Sequence, residues 1–213
     1  AGHGEPLVSL VASTGAACTA MDSSAAIPQF DTAAAQQALD EAGWELGGDG
    51  IRVKDGQKLS VILLYPVNES ASVVSAIELM QSQLQAIGIE GVPTPASSYT
   101  DVIFSGGDWD LVWAPINTSL PSDWLGILSG EFPPDGGNWT YNTNQEYFDL
   151  ANEANTMVGE EGCDSWEAAQ NSLFSNLEIL PIASSTETIY AAGIDFGVSR
   201  GVLMPMTFEI AEQ

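Results

Sequence analysis

Apolar positions along this chain recur in blocks whose period changes from helix to strand and back. In "DTAAAQQALDEAGW", Ala34, Ala35, Ala38, Leu39 and Ala42 share one face at helical spacing. Asp31 precedes them as an amide-capping residue and Gly43 follows as a stop, which predicts a short helix opening at Asp31. The pattern then alternates. In "GDGIRVKDGQKLSVILLYP", Ile51 and Val53 are interleaved with Arg52 and Lys54, Asp55-Gly56 is a favoured two-residue turn, and "LSVILLYP" is apolar enough to be buried on both faces. This predicts a hairpin leading into a core strand. A calcium loop needs more oxygen ligands than Asp49 and Asp55 supply, and a phosphate loop needs Gly-Lys-Ser/Thr opening a helix, so neither reading fits. The basic residues Arg52, Lys54 and Lys58 then read as a solvated hairpin face.

Val73, Ile77, Met80, Leu84 and Ile87 follow at three- and four-residue steps, predicting a helix over 69–87 that ends at Gly88. "IEGVP" reads as a short strand, "SSYTDVIFSGG" as a short helix, and "WDLVWAP" as a third strand in which Leu111 and Trp113 alternate with Val112. A β-α-β-α-β order predicts an α/β sheet. Residues 114–142 are rich in Pro, paired Gly and aromatic residues, the composition of a long functional loop region. Helices are expected around 145–158 and 164–178, and "LEILPIASSTETIYAAG" reads as strand, turn, strand. Residues 1–30 lack a sustained period and read as an irregular lead-in, leaving 31–213 as one α/β lobe.

Charge narrows the partners. Twenty-nine acidic residues against four basic ones give a formal charge of −25, which repels phosphate backbones and anionic lipid surfaces, so no nucleic-acid partner is expected. A chain of 213 residues can bury about 70% of its unfolded surface, enough for a sizeable core. No apolar run reaches the roughly 18 residues of a membrane span, and "AGHGEPLVSL" lacks the regions of a signal peptide, which leaves a cytosolic chain or a removed signal. Cys18 and Cys163 stand far apart without a Cys-x-x-Cys pattern, which excludes a zinc cluster and leaves a long-range disulfide or two buried thiols. The acidic, Lys-poor composition with abundant Ser, Thr and Asn favours export and hence the disulfide, joining the N-terminal segment to the start of a late helix.

His3 is the one histidine in the sequence, so a Ser-His-Asp or Cys-His site would depend on a terminal residue. Carboxylate neighbours such as Asp108 with Asp110 and Glu160 with Glu161 are what so acidic a chain produces by chance, and they read as surface charge. Asn-x-Ser/Thr occurs at Asn68, Asn117 and Asn138. Of the tryptophans, Trp44 and Trp166 read as core. Trp113, Trp124, Trp139 and Tyr141 flank the long loops after a strand end, where open α/β sheets place ligands. With Asn117, Asp123 and Asn138 nearby, their faces suit stacking on a sugar ring or packing peptide side chains, or they plug the loops down.

Taken in order, "FDTAAAQQALDEAGWELGGDGIRVKDGQKLSVILLYP", the helix ending "LQAIGIE", "GDWDLVWAP" and "LEILPIASSTETIYAAG" resemble the C-terminal lobe of extracellular solute-binding proteins, family 5, the peptide/nickel/oligosaccharide class serving ABC importers. The resemblance implies a periplasmic-binding-protein-like (type II) α/β lobe, a mixed sheet flanked by helices, taken from a longer two-lobed chain. It implies a non-enzymatic monomer without cofactor, metal or catalytic residues, extracellular or periplasmic, with a lipid anchor outside this segment. Its partners would be a small solute, captured in an inter-lobe cleft, and ABC permease subunits. In peptide-binding relatives an Asp soon after the Trp ending the third strand receives the peptide ammonium. Here Asn117 lies near that place and Asp123 is the first acid. The expected ligand is therefore neutral, an oligosaccharide ahead of an uncharged peptide, held by Trp113, Asn117, Asp123, Trp124, Asn138, Trp139 and Tyr141. The competing classes are a secreted carbohydrate-active hydrolase domain and a structural surface module.

Overall fold

The computed structural model describes residues 4–11, 17–67, 70–116, 118–185, 190–199 and 202–210. In chain order these form β1 (Gly4–Pro6), α1 (Thr32–Glu41), β2 (Glu45–Leu46), β3 (Arg52–Lys54), β4 (Gln57–Lys58), β5 (Ser60–Pro66), α2 (Ala71–Ala86), β6 (Glu90–Ala96) and α3 (Tyr99–Phe104). They continue with β7 (Leu111–Val112), α4 (Leu125–Leu128), α5 (Gln145–Ala154), α6 (Cys163–Ser175), β8 (Ala183–Ser185), β9 (Ile194–Ser199) and β10 (Val202–Ile210). The chain divides into two compact units: a sheet unit, Gln29–Ile116 with Phe132–Trp139, and a helical unit, Ala1–Pro28 with Asn117–Glu131 and Thr140–Gln213.

In the sheet unit, Asp31 begins α1 by accepting the amides of Ala33 and Ala34, each at 2.9 Å, which relieves two of the unpaired donors of a helix start. Both long helices stop in the same way. After α1, Gly43 donates to Asp40 and Trp44 to Leu39; after α2, Gly88 donates to Gln85 and Ile89 to Leu84. Each glycine sits at positive φ, 83° and 87°, so each end is a Schellman motif. The predicted face of α2 is the one turned inward, with Ile77 buried and Val73, Met80, Leu84 and Ile87 half-buried, while Leu79 on the other side is 58% exposed. Helix α1 has no buried residue; its alanine stripe is too short-chained to reach a core.

The parallel sheet runs β6-β5-β7. Leu63 pairs with Pro93 and Leu64 with Val112. Adjacent Leu63 and Leu64 point to opposite faces, and both are buried, as expected of a central strand covered on two sides. Pro93 and Pro95 cannot donate to a ladder, and they sit on β6, an edge strand, where a missing N–H goes unnoticed. The predicted hairpin is β3-β4, with Asp55 and Gly56 both at positive φ, 53° and 80°, the geometry of a type I′ turn. Strand β2 adds to it antiparallel, a pairing with no clear signal in the sequence. The fold thus mixes parallel and antiparallel sheets with flanking helices.

One reading of the hairpin is corrected. Arg52 is 5% exposed, not part of a solvated face. Its Nε donates to Ile87 O at 2.8 Å, Nη1 to Trp44 O at 2.6 Å and to Asp40, and Nη2 to Gln36 O at 3.4 Å. One guanidinium therefore sits against carbonyls at the C-terminal ends of both α1 and α2, where helix dipoles favour a cation. Gly88 is part of the same device, because a Cβ there would stand 2.7 Å from Arg52 Cγ. Lys54 does remain exposed and donates to Ala42 O at 2.8 Å.

The helical unit is fastened across long stretches of sequence. Cys18 and Cys163 form a disulfide with Cα atoms 5.2 Å apart, the expected bond from the N-terminal segment to the start of α6. Gln170, buried in α6, accepts from Ser9 Oγ and the Leu10 amide and donates to Ser23 Oγ at 2.7 Å. Leu10, Val11, Cys18 and Met21 are all buried, and β1 pairs antiparallel with β8. The segment read as an irregular lead-in is thus core to this unit. Helix α5 opens at Asn144, which accepts the Tyr147 amide at 3.0 Å and donates to Ser172 Oγ. Tyr147 is buried and its hydroxyl has no hydrogen-bond partner among the described residues; burial raises its pKa well above the ordinary 10.0. The strand-turn-strand reading of residues 177–193 is corrected in part: β8 starts at Ala183 and β9 only at Ile194, with 186–189 outside the described residues.

Candidate functional site

The carboxyl edge of the parallel sheet gathers three connections. Strands β5, β6 and β7 all end there, because a parallel sheet delivers its strand ends to one side. Chain order runs from the central β5 to one neighbour and then across to the other, so connections leave this edge in different directions, the arrangement at which open α/β sheets place ligands. Trp113 follows β7 directly and is half-buried, its amide held by Leu64 O at 2.8 Å. Tyr99 opens α3 just beyond β6, and Ser98 fixes that opening by accepting the Asp101 amide. Trp139 packs on Tyr99 with ring centroids 6.2 Å apart and planes tilted by 60°. Asn138 beside it is 1% exposed. The edge therefore carries Trp113 and Tyr99, both half-buried, with Trp139, only 8% exposed, packed against Tyr99. Tyr99 escaped the sequence reading; its signal was its place at the first turn of the helix after a strand.

The other predicted residues lie in the helical unit. Trp124 ends a 3-10 turn spanning Pro121–Trp124 and is 7% exposed. Its indole N–H donates to Leu10 O at 3.0 Å and to Thr118 Oγ1 at 3.1 Å, which ties this turn to the N-terminal segment. Asp123 Oδ2 accepts the amides of Ser119 and Leu120, both at 2.9 Å, which ties the carboxylate to its own turn. Tyr141 is 43% exposed at a φ of 54°. Asn117 lies outside the described residues. The 114–142 segment is not a bare loop, since it holds this 3-10 turn and α4 and contributes residues to both units.

Of the carboxylate neighbours, Asp110 has a structural partner. Asp110 Oδ2 accepts the Ile62 amide at 2.8 Å, closing the sheet beside β5. Among the described residues no group of three or more His, Cys, Asp or Glu could hold a metal, and no helix is long and apolar enough to cross a membrane. The ion pairs found there join Arg52 to Asp40 and Lys58 to Asp49. In the second, the Lys58 ammonium and then the Ile51 amide hold the Asp49 carboxyl below its ordinary value, and Asp49 in turn raises Lys58. Both groups are exposed, so this pair shapes a turn and not a site.

A family model described as bacterial extracellular solute-binding proteins, family 5 Middle, matches residues 1–146. The chain belongs to that family. Protein XP55 of Streptomyces lividans is 30% identical over 145 residues, 66% of this chain and 24% of XP55. Among solved structures, NikA from Brucella suis in complex with Fe(III)-EDTA superposes with a TM-score of 0.64 at 20% identity, over 85% of this chain and 37% of NikA. The mannohexaose-bound periplasmic oligopeptide-binding protein of an oligopeptide ABC transporter from Thermotoga maritima gives 0.59 at 24% identity, over 73% of this chain and 31% of that one. These likenesses establish the periplasmic-binding-protein fold. The chain spans about a quarter of the length of XP55.

Proposed function

We propose that this chain is one lobe of a longer, two-lobed receptor that captures a solute outside the cytoplasm and delivers it to the permease of an ABC importer, without transforming it. The observation that carries this reading is the placing of two half-buried aromatic residues, Tyr99 and Trp113, just beyond the carboxyl ends of β6 and β7 of a parallel sheet, in a chain of a solute-binding family. A second lobe closing over that edge would exclude water and complete the contacts, so the isolated chain should bind only weakly. In the full-length form the receptor is monomeric and membrane-anchored.

The solute class follows from what the edge offers. A buried ammonium requires a carboxylate, because an unpaired charge out of water is costly. Asp123, the first acid after β7, already accepts two backbone amides. Aromatic faces suit the apolar faces of sugar rings, and mannohexaose is the ligand named for the Thermotoga maritima protein. An oligosaccharide is therefore favoured over an uncharged peptide. Calorimetric titration of the full-length receptor with mannohexaose and with N-blocked and free-amine peptides tests this. Oligosaccharide binding should weaken by about 1–3 kcal/mol in Trp113→Ala. Tight capture of free-amine peptides, lost in Asp123→Asn, would overturn the neutral-solute reading; unchanged affinity in a folded Trp113→Ala would remove the edge as the site.

A further inference from the structure

The last two strands form a ribbon with an apolar face that is clearest where Ile194 and Phe196 meet Ile210 and Phe208. Strands β9 and β10 pair antiparallel, with Ile194 opposite Ile210 and Asp195 opposite Glu209. Side chains alternate along a strand, so Ile194, Phe196 and Val198 of β9 share a face; Phe208 and Ile210 of β10 join it at one end and Leu203, paired with Val198, at the other, the register shifting between Met204 and Glu209. Phe196 and Phe208 meet edge-to-face at 6.4 Å, and Thr207 Oγ1 on the opposite face accepts the Gly197 amide. Such patterning is that of a ribbon with one side buried and the other wet. Yet Ile210 is 88% exposed, Val198 50%, Phe208 48% and Ile194 45%. Among the described residues no other element packs substantially against either strand.

Resting on the reading of this chain as one lobe of a longer receptor, we infer that the apolar face of β9–β10 is a docking surface for the remaining polypeptide of that same receptor. A two-stranded ribbon is marginal in water by itself, and an uncovered apolar face of this kind invites aggregation. The chain spans 24% of XP55, 31% of the Thermotoga maritima protein and 37% of NikA, so in such proteins most of the polypeptide lies outside the counterpart of these residues and is available as cover. A second copy of this chain is the poorer occupant, because a formal charge of −25 on each opposes their approach. The polar face, with Asp195 and Glu209, stays in water.

Amide hydrogen exchange over residues 194–210, measured on this chain alone and on the full-length receptor, tests the assignment. Exchange in the receptor should be slower by about 100-fold or more, and Phe208→Asp should return it toward the rate in the isolated chain. If that variant fails to fold, the comparison of the two unsubstituted proteins still decides. Equally fast exchange in both proteins overturns the inference. So does protection in the isolated chain that grows with concentration alongside a dimer mass by light scattering. Slow exchange in a receptor that calorimetry finds unable to bind any solute supports the docking surface while removing the transport reading.

Discussion

In the sheet unit the decisive fastenings join neighbours. Asp31 caps its own helix, Asp55-Gly56 turns its own hairpin, and Arg52 reaches residues 8, 12, 16 and 35 positions away. In the helical unit the counterpart contacts span far more chain: Cys18 to Cys163 covers 145 positions, Ser23 to Gln170 covers 147, and Ser9 to Gln170 covers 161. Local contacts close short loops at little entropic cost, whereas the helical unit must first bring distant segments together. Stability in the first unit should therefore be spread over many modest terms, and in the second concentrated in a few large ones.

Removing the disulfide is the strongest way to test that contrast. Cys18→Ser with Cys163→Ser should cost about 4–5 kcal/mol, given so long a closed loop. Thiol titration of the unreduced, denatured protein should find no reactive group beforehand. Denaturant unfolding followed by exchange at residues 7–23 and in α6 should register the loss there, while β5 stays protected; equal loss in both units would break the comparison. Next is Trp124→Ala, which removes a buried aromatic ring and should cost about 3–5 kcal/mol. Solute affinity of the folded variant should not change, since the ring faces the unit's own interior.

Arg52→Met probes the sheet unit. It leaves Ile87 O and Trp44 O without their partner and should cost about 2–3 kcal/mol by denaturant unfolding, less than either change above. Tyr147→Phe should be neutral or stabilise slightly, because the phenol is buried without a partner among the described residues and its removal leaves nothing unsatisfied. Smallest of all is the Asp49–Lys58 pair. The folded Asp49 carboxyl is depressed by Lys58, so its contribution is complete above the ordinary value of 3.8 and is lost as pH falls through the lower folded value. Lys58→Met should raise the Asp49 pKa in a carbon-detected NMR titration and leave the melting temperature at neutral pH unchanged, as for most exposed pairs.

The elements that periodicity predicted are the ones whose causes are local. The α2 face was legible because hydrophobic spacing, a following Gly88 and the turn geometry all act within a few residues. Leu63 and Leu64 announced a doubly covered strand for the same reason. Arg52 was misread because its neighbours in sequence are polar and turn-forming; its burial comes from the ends of two helices that the sequence places elsewhere. Trp124 posed a similar problem, since a tryptophan in a Pro-rich segment fits a ligand anchor and a plug equally well, and its bond to Leu10 O has no local signal.

By itself the sequence determined the helices and most strands of the sheet unit, β2 excepted, its turn chemistry, the acidic composition and the resemblance to family 5, because each depends on composition or on contacts within one or two turns of chain. Tertiary structure alone decided that Leu10, Val11, Cys18 and Met21 belong to a core, that Tyr99 and Trp139 meet, and that the face of β9–β10 is uncovered. Those outcomes depend on which segments distant in sequence come together, and a residue's side-chain chemistry carries no record of the partner that the folded chain will bring to it.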